Sequence, residues 1–149
     1  MRLNHALILF FLLSGAALAK EEANGTFTVN MNPQEESLSE GVTLSRELLQ
    51  KKFEGELTGA ANGQMLTAVS QVPTSAVYVA IDRFEGTLHG RSGSFAISHR
   101  GVMADGEQDL TIAIVPDSGT GELAGISGTM TIDIQDGKHF YSLRYELRQ

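Results

Sequence analysis

The sequence predicts an all-β protein: a single closed antiparallel eight-stranded β-barrel, preceded by a signal peptide. Three observations carry the fold. From residue 25 onward apolar residues alternate with polar ones at a period of two, which lines one set of side chains along one face of a strand. A glycine-x-leucine-x-glycine motif occurs three times, at intervals close to the length of a hairpin. Asp136-Gly137 separates two alternating runs, and the type I′ turn that joins neighbouring strands favours this pair because both central positions need positive φ.

The elements follow in order. Phe27, Val29 and Met31 alternate with Thr26, Thr28 and Asn30. Residues 33–40 carry Glu35, Glu36 and Glu40 and are expected to form a connecting loop. Residues 42–58 include SRELLQKKF, whose residues tolerate a helix. Phe53, Gly55 and Leu57 nevertheless continue the alternation, and no cap or amphipathic stripe is present, so the segment is assigned as strand. Residues 64–70 make the next strand, Pro73 marks a turn, and 75–90 place Val77, Val79 and Ile81 on one face. Phe95, Ile97 and His99 share a face in 94–102, and Asp105-Gly106 ends that run. Leu110, Ile112 and Ile114 form a further strand, as do Met130, Ile132 and Ile134. The last strand carries His139, Tyr141, Leu143, Tyr145 and Leu147.

The repeat ties these strands together. GELTG at 55–59 recurs as GTLHG at 86–90 and GELAG at 121–125, offsets of 31 and 35 residues. Phe53-Glu54 and Phe84-Glu85 precede the first two copies. Each copy is followed by another glycine and a large apolar residue: Gly63 with Met65, Gly93 with Phe95, Gly128 with Met130. Glycines on either side of a buried leucine let strands approach closely and coil. Three such hairpins with a first and a last strand close a barrel that has no free edges.

Residues 1–19, MRLNHALILFFLLSGAALA, combine a basic start at Arg2, an uncharged apolar run over 6–13 and a small-x-small end at Ala17-Leu18-Ala19. This is the pattern of a secretory signal cleaved after Ala19. The run is shorter than the roughly 20 residues that span a bilayer, so no stable membrane anchor is expected. The mature chain is then secreted or periplasmic, with a flexible leader at 20–24 and the barrel domain over 25–149. Cleavage removes Arg2 and no acid, so a net charge of −7 becomes −8. An acidic chain with eleven scattered Lys and Arg lacks the basic patch that nucleic acid or anionic lipid requires. The absence of cysteine excludes a disulfide framework, thiolate chemistry and a zinc–thiolate site.

Several motifs invite a function and fail on spacing. GTGELAG at 119–125 lacks the lysine of a phosphate loop and is followed by strand residues, so it is assigned as a glycine-rich bend. His89 and His139 have no carboxylate or histidine at ligand spacing and are assigned as surface positions. DGEQD at 105–109 lacks the calcium-loop pattern and its terminal glutamate. No metal site and no cofactor is expected.

FEGELTG (53–59), YVAIDRFEGTLHGRSGSFAISHRG (78–101), VPDSGTGELAGISGTMTI (115–132) and DGKHFYSLRYEL (136–147) together resemble a family of small bacterial proteins of unknown function. That family is similar in fold to allene oxide cyclase, an eight-stranded lipocalin-like barrel. The resemblance covers residues 25–147; it implies the fold and no particular activity.

The residues expected to carry a site are polar ones that share a strand face with core residues. His99 alternates with Phe95 and Ile97, while Tyr78, Asp82 and Phe84 lie on the face opposite Val77, Val79 and Ile81. Glu54, Glu56, Tyr141 and Tyr145 join them if their strands present the same face. A polar cluster inside a small barrel is either mutually hydrogen-bonded or open to a ligand, since each unpaired buried group costs about 1–3 kcal/mol. Tyr78, Asp82, His99, Glu54 and Tyr145 are therefore the expected ligand-binding set, with Asp82 or Glu54 as a base and His99 or Tyr78 as a donor if chemistry occurs. Three functions fit: an exported barrel that binds a small apolar or amphipathic ligand, a cofactor-free isomerase or cyclase acting on an oxygenated lipid-like substrate, and a structural or oligomeric envelope protein with a solid core. The sequence carries no signal for oligomeric state.

Overall fold

The computed structural model describes residues 19–72 and 74–148, so the signal expected at 1–19 lies, except for Ala19, outside the described residues. The strands are β1 (Glu21–Ser39), β2 (Val42–Gly55), β3 (Leu57–Ser70), β4 (Ala76–Leu88), β5 (Arg91–Ala104), β6 (Glu107–Ile114), β7 (Thr120–Gly121), β8 (Ile126–Gln135) and β9 (Lys138–Leu147). All pair antiparallel in one sheet. Neighbours around the ring run β1-β2-β3-β4-β5-β6-β8-β9, and β1 closes on β9 from Glu21↔Tyr145 to Phe27↔His139. The two-residue β7 pairs with β5 below β6 and extends the same position in the ring. The result is the closed eight-stranded antiparallel barrel that the alternation predicts, with no helix among the described residues.

Three segments depart from expectation. The strand expected over 42–58 ends at Gly55, and the next, expected over 64–70, begins already at Leu57. The leader expected at 20–24 is strand from Glu21 on, and Ala23 is fully buried. The inward series Phe27, Gly25, Ala23 simply starts earlier than the first bulky residue, because β9 needs a partner as far as Tyr145. The loop expected at 33–40 is the outer half of a long β1–β2 hairpin that turns at Glu40-Gly41. Pro33 has no N–H to give the ladder, and the register shifts there, between Pro33 and Glu35. Beyond Phe27 this part of β1 pairs with β2 alone. A proline, a bulge and two glutamates are what an edge carries when it must not recruit another strand.

The three tight turns His89-Gly90, Asp105-Gly106 and Asp136-Gly137 all have positive φ at both positions (47° and 79°, 54° and 80°, 51° and 76°). The repeated motif marks one end of the barrel. Leu57, Leu88 and Leu123 are each fully buried there, joined by Ile126, Leu143 and Tyr145. The outer glycines face glycines across the ladder, Gly25↔Gly55, Gly59↔Gly86 and Gly93↔Gly121. Larger side chains lie over them: a Cβ on Gly25 would stand 2.5 Å from the Tyr141 hydroxyl, one on Gly86 2.9 Å from Phe84, and one on Gly93 3.1 Å from Leu123. Above this floor Phe27, Phe53, Phe84 and Phe95 pack in sequence at centroid distances of 5.1, 5.9 and 5.0 Å. Each such side chain stabilises the fold by about 1.5–3 kcal/mol. One half of the barrel is solid.

Candidate functional site

The other half is hollow. A cavity of about 340 Å³ opens at the end away from the leucine floor, within the roughly 300–1,000 Å³ range of small-molecule sites. Its walls are mainly apolar, with Val29, Leu49, Met65, Ala80, Leu110 and Ile132 among the lining residues. The rim is apolar as well: Met31, Val69, Met103 and Ile134 are 37–59% exposed.

At the base of this cup three ionisable side chains meet. Lys51 comes from β2, Asp82 from β4 and His99 from β5, each on the inward phase of its strand. Lys51 Nζ donates to Asp82 Oδ2 at 2.5 Å, and His99 Nε2 lies 3.0 Å from the same oxygen. Lys51 Nζ and His99 Nε2 are 3.4 Å apart. With both groups directed at one carboxylate oxygen, Nε2 is the His99 nitrogen that carries the donated proton. Burial works to raise the Asp82 carboxyl, but the His99 hydrogen bond and the Lys51 ammonium outweigh it and hold the group below the usual carboxylate range. Its Oδ1 is, among the described residues, the one buried side-chain polar atom without a hydrogen-bond partner. Gly63, opposite Asp82 in the ladder, makes room for it, since a Cβ there would stand 2.3 Å from Oδ1. Lys51 and His99 line the cavity and Asp82 stands behind them.

Tyr78 also lines the cup, half-buried. Its ring lies across Gly101, its ladder partner, where an added Cβ would be 2.1 Å from the ring. Burial and the Asp82 charge both push its phenol up. Tyr78, Asp82 and His99 thus come together as their shared phase implies.

Glu54 and Tyr145 do not join them. Glu54 follows the inward Phe53, so the two-residue period sends it outside, where it pairs with Lys52 at 2.9 Å. Glu56 is likewise exposed, at the closed end. Tyr145 faces inward but at the closed end, 1% exposed. Its hydroxyl donates to Glu21 Oε2 at 2.9 Å and lies 2.7 Å from His89 Nδ1. Burial, then the Glu21 hydrogen bond, push this phenol up to about 12. Tyr141 serves the floor too: its hydroxyl accepts from Leu57 N at 2.8 Å and donates to Leu57 O at 3.1 Å, holding the bend between β2 and β3.

Two ionisable lining residues escaped the sequence. Lys51 sits between Leu49 and Phe53 on the inward phase, a signal hidden by its neighbour Lys52 and by the rarity of buried lysines. His139, expected at the surface, packs tilted against Phe27 at a centroid distance of 4.9 Å and lines the cup, in phase with Tyr141 and Leu143. Among the described residues no group of three or more His, Cys, Asp or Glu is placed to hold a metal ion.

A closed up-and-down barrel with one packed end and one open apolar cup, based on a buried Lys–Asp–His cluster, defines a small calyx-like barrel protein. The chain belongs to the DUF3224 family, described as proteins of unknown function, whose model matches residues 23–145. It is similar to the crystal structure, at 1.84 Å resolution, of a DUF3224 protein of unknown function from Shewanella oneidensis MR-1. Identity is 41%, the match covers 88% of this chain and 99% of that one, and the TM-score is 0.84. No curated protein matches the chain.

Proposed function

We propose that this chain is an exported carrier or sensor barrel that takes a small, mainly apolar ligand into the open cup and does not transform it. The observation that carries the reading is the cup itself: inward positions that are filled by aromatic rings in the lower half give way to a cavity with an apolar wall and an exposed apolar rim. A barrel built only as a structural element has no need of that void, because an unfilled core costs stability. The isomerase alternative needs a base that reaches the ligand. Asp82 stands behind Lys51 and His99 with its charge already shared, so binding is the better-supported function. Export is supported by residues 1–19 alone.

The test is fluorescence of the neutral dye Nile red with the purified protein and with Leu110→Trp, which fills the cup from β6. The unaltered protein is expected to enhance emission and the variant to lose the enhancement while melting at the same temperature. Equal enhancement by both would put the dye elsewhere and sink the reading. Mass spectrometry of the native protein should give a mature N-terminus at Lys20; an intact cytosolic chain would end the export proposal.

A further inference from the structure

We infer that the ligand is an amphiphilic monoanion, a carboxylate on an apolar body, seated with its headgroup down on Lys51 and His99. This rests on the binding function proposed above. The chain has 18 Asp and Glu against 11 Lys and Arg, yet none of those acids lines the cup. The ionisable lining residues are Lys51, His99, His139 and Tyr78, three of them bases. In an acidic protein, a cavity cleared of acids and furnished with bases selects against cations and for anions.

The cluster at the base is built to receive one negative charge. Asp82 Oδ2 is shared between Lys51 and His99, so a single carboxylate oxygen serves two basic side chains. Lys51 has three N–H donors and Asp82 Oδ2 takes one of them. A carboxylate arriving beside Lys51 accepts from the N–H donors that Asp82 leaves over, with the His99 ring next to it. Among the described residues, Asp82 from β4 and Lys51 from β2 are in polar contact with His99, Tyr78 from β4 and His139 from β9 line the same cup, and β6 presents Ile112 and Leu110. The depth gradient sets the orientation. Lys51 and His99 are 9% and 7% exposed, whereas the rim residues Met31 and Ile134 exceed half exposure, so the headgroup goes to the floor and the apolar body to the mouth.

Isothermal titration of the full mature chain with decanoate, decanol and decylammonium tests this. Decanoate should bind about tenfold or more tighter than decanol, the worth of a charge-assisted hydrogen bond, and decylammonium should bind weakest. Lys51→Met should erase the advantage of decanoate, bringing its affinity to within about twofold of that of decanol for the same variant. Because that variant strands the Asp82 charge, Lys51→Met/Asp82→Asn is measured beside it and should show the same loss. Decanol binding as well as decanoate in the unaltered protein overturns the anion assignment and leaves the binding function standing. Failure of all three ligands to bind removes both.

Discussion

Glu56 and Glu122, the second residues of two copies of the glycine-leucine-glycine motif, close the same backbone gap in the same way. Glu56 N–H donates to Asn24 O at 3.1 Å while its carboxylate accepts from Asn24 N–H at 2.6 Å. Glu122 N–H donates to Ser92 O at 2.9 Å and its carboxylate accepts from Ser92 N–H at 2.8 Å. Asn24 and Ser92 each precede a glycine that faces the first glycine of the motif. The motif therefore encodes a seam lock between strands as well as a bend. In the middle copy Thr87 holds that position and lies within β4.

The lock predicts a paired outcome. Glu56→Ala should lower hydrogen-exchange protection of the Asn24 amide and Glu122→Ala that of Ser92, while the Gln variants, which keep an acceptor, lose less. The Asn24 N–H and His89 hold the Glu56 carboxyl below its usual range, so its contribution is present at neutral pH and fades as acid protonates it. Exchange measured at two pH values reads both effects.

At the closed end, Tyr145→Phe removes a hydroxyl held between Glu21 and His89 and should cost about 1 kcal/mol at neutral pH. The folded phenol titrates near 12, above its ordinary 10, so folding favours the protonated form. That contribution is complete below pH 10 and is lost as pH rises toward 12, roughly 3 kcal/mol at most. Thermal melts should show the native protein weakening through this window and the Phe variant weakening less.

How far the sequence reached is clearest from these two ends. Alternation puts Tyr78 and Asp82 on one face with Phe84, and His99 on one face with Phe95 and Ile97, and these are the inward faces, because a strand has a strict period of two. Phase says nothing of height along the barrel, which depends on ladder register between distant strands, so alternation alone does not separate Tyr145 at the closed end from Tyr78, Asp82 and His99 at the cup. Glu54 depended on the phase of β2, and the inward Phe53 decides it. The β1–β2 hairpin was illegible for another reason. Past Pro33 the residues of β1 are exposed on both faces, and without a buried side no alternation is imposed.

The buried cluster makes a third prediction. Lys51→Met leaves Asp82 uncompensated and should destabilise the fold by about 3–5 kcal/mol, whereas Lys51→Met/Asp82→Asn should recover most of that. The Asp82 carboxyl lies below its ordinary 3.8, so its stabilisation is present above that pH and is lost as pH falls through the lowered value. Urea titrations at pH 7 and in acid should show the double variant with the flatter acid limb.

Gly101→Ala supplies a fourth. The added methyl would meet the Tyr78 ring, which must leave the wall and enter the cup. The expected cost is about 1–3 kcal/mol, relieved by Tyr78→Ala in the same chain. Chemical denaturation of the two single variants and the double gives the coupling directly.

The division of the long strands into a filled lower half and an open upper half separates what must stay fixed from what is free to change. β4 carries Phe84 and Leu88, both fully buried, at one end, and Tyr78 and Ala80 beside the cup at the other. Substitutions at Val69, Met103 or Ile134 touch no part of the aromatic stack or the leucine floor. Such a scaffold can exchange one guest for another by small edits to its mouth, without renegotiating how the chain folds.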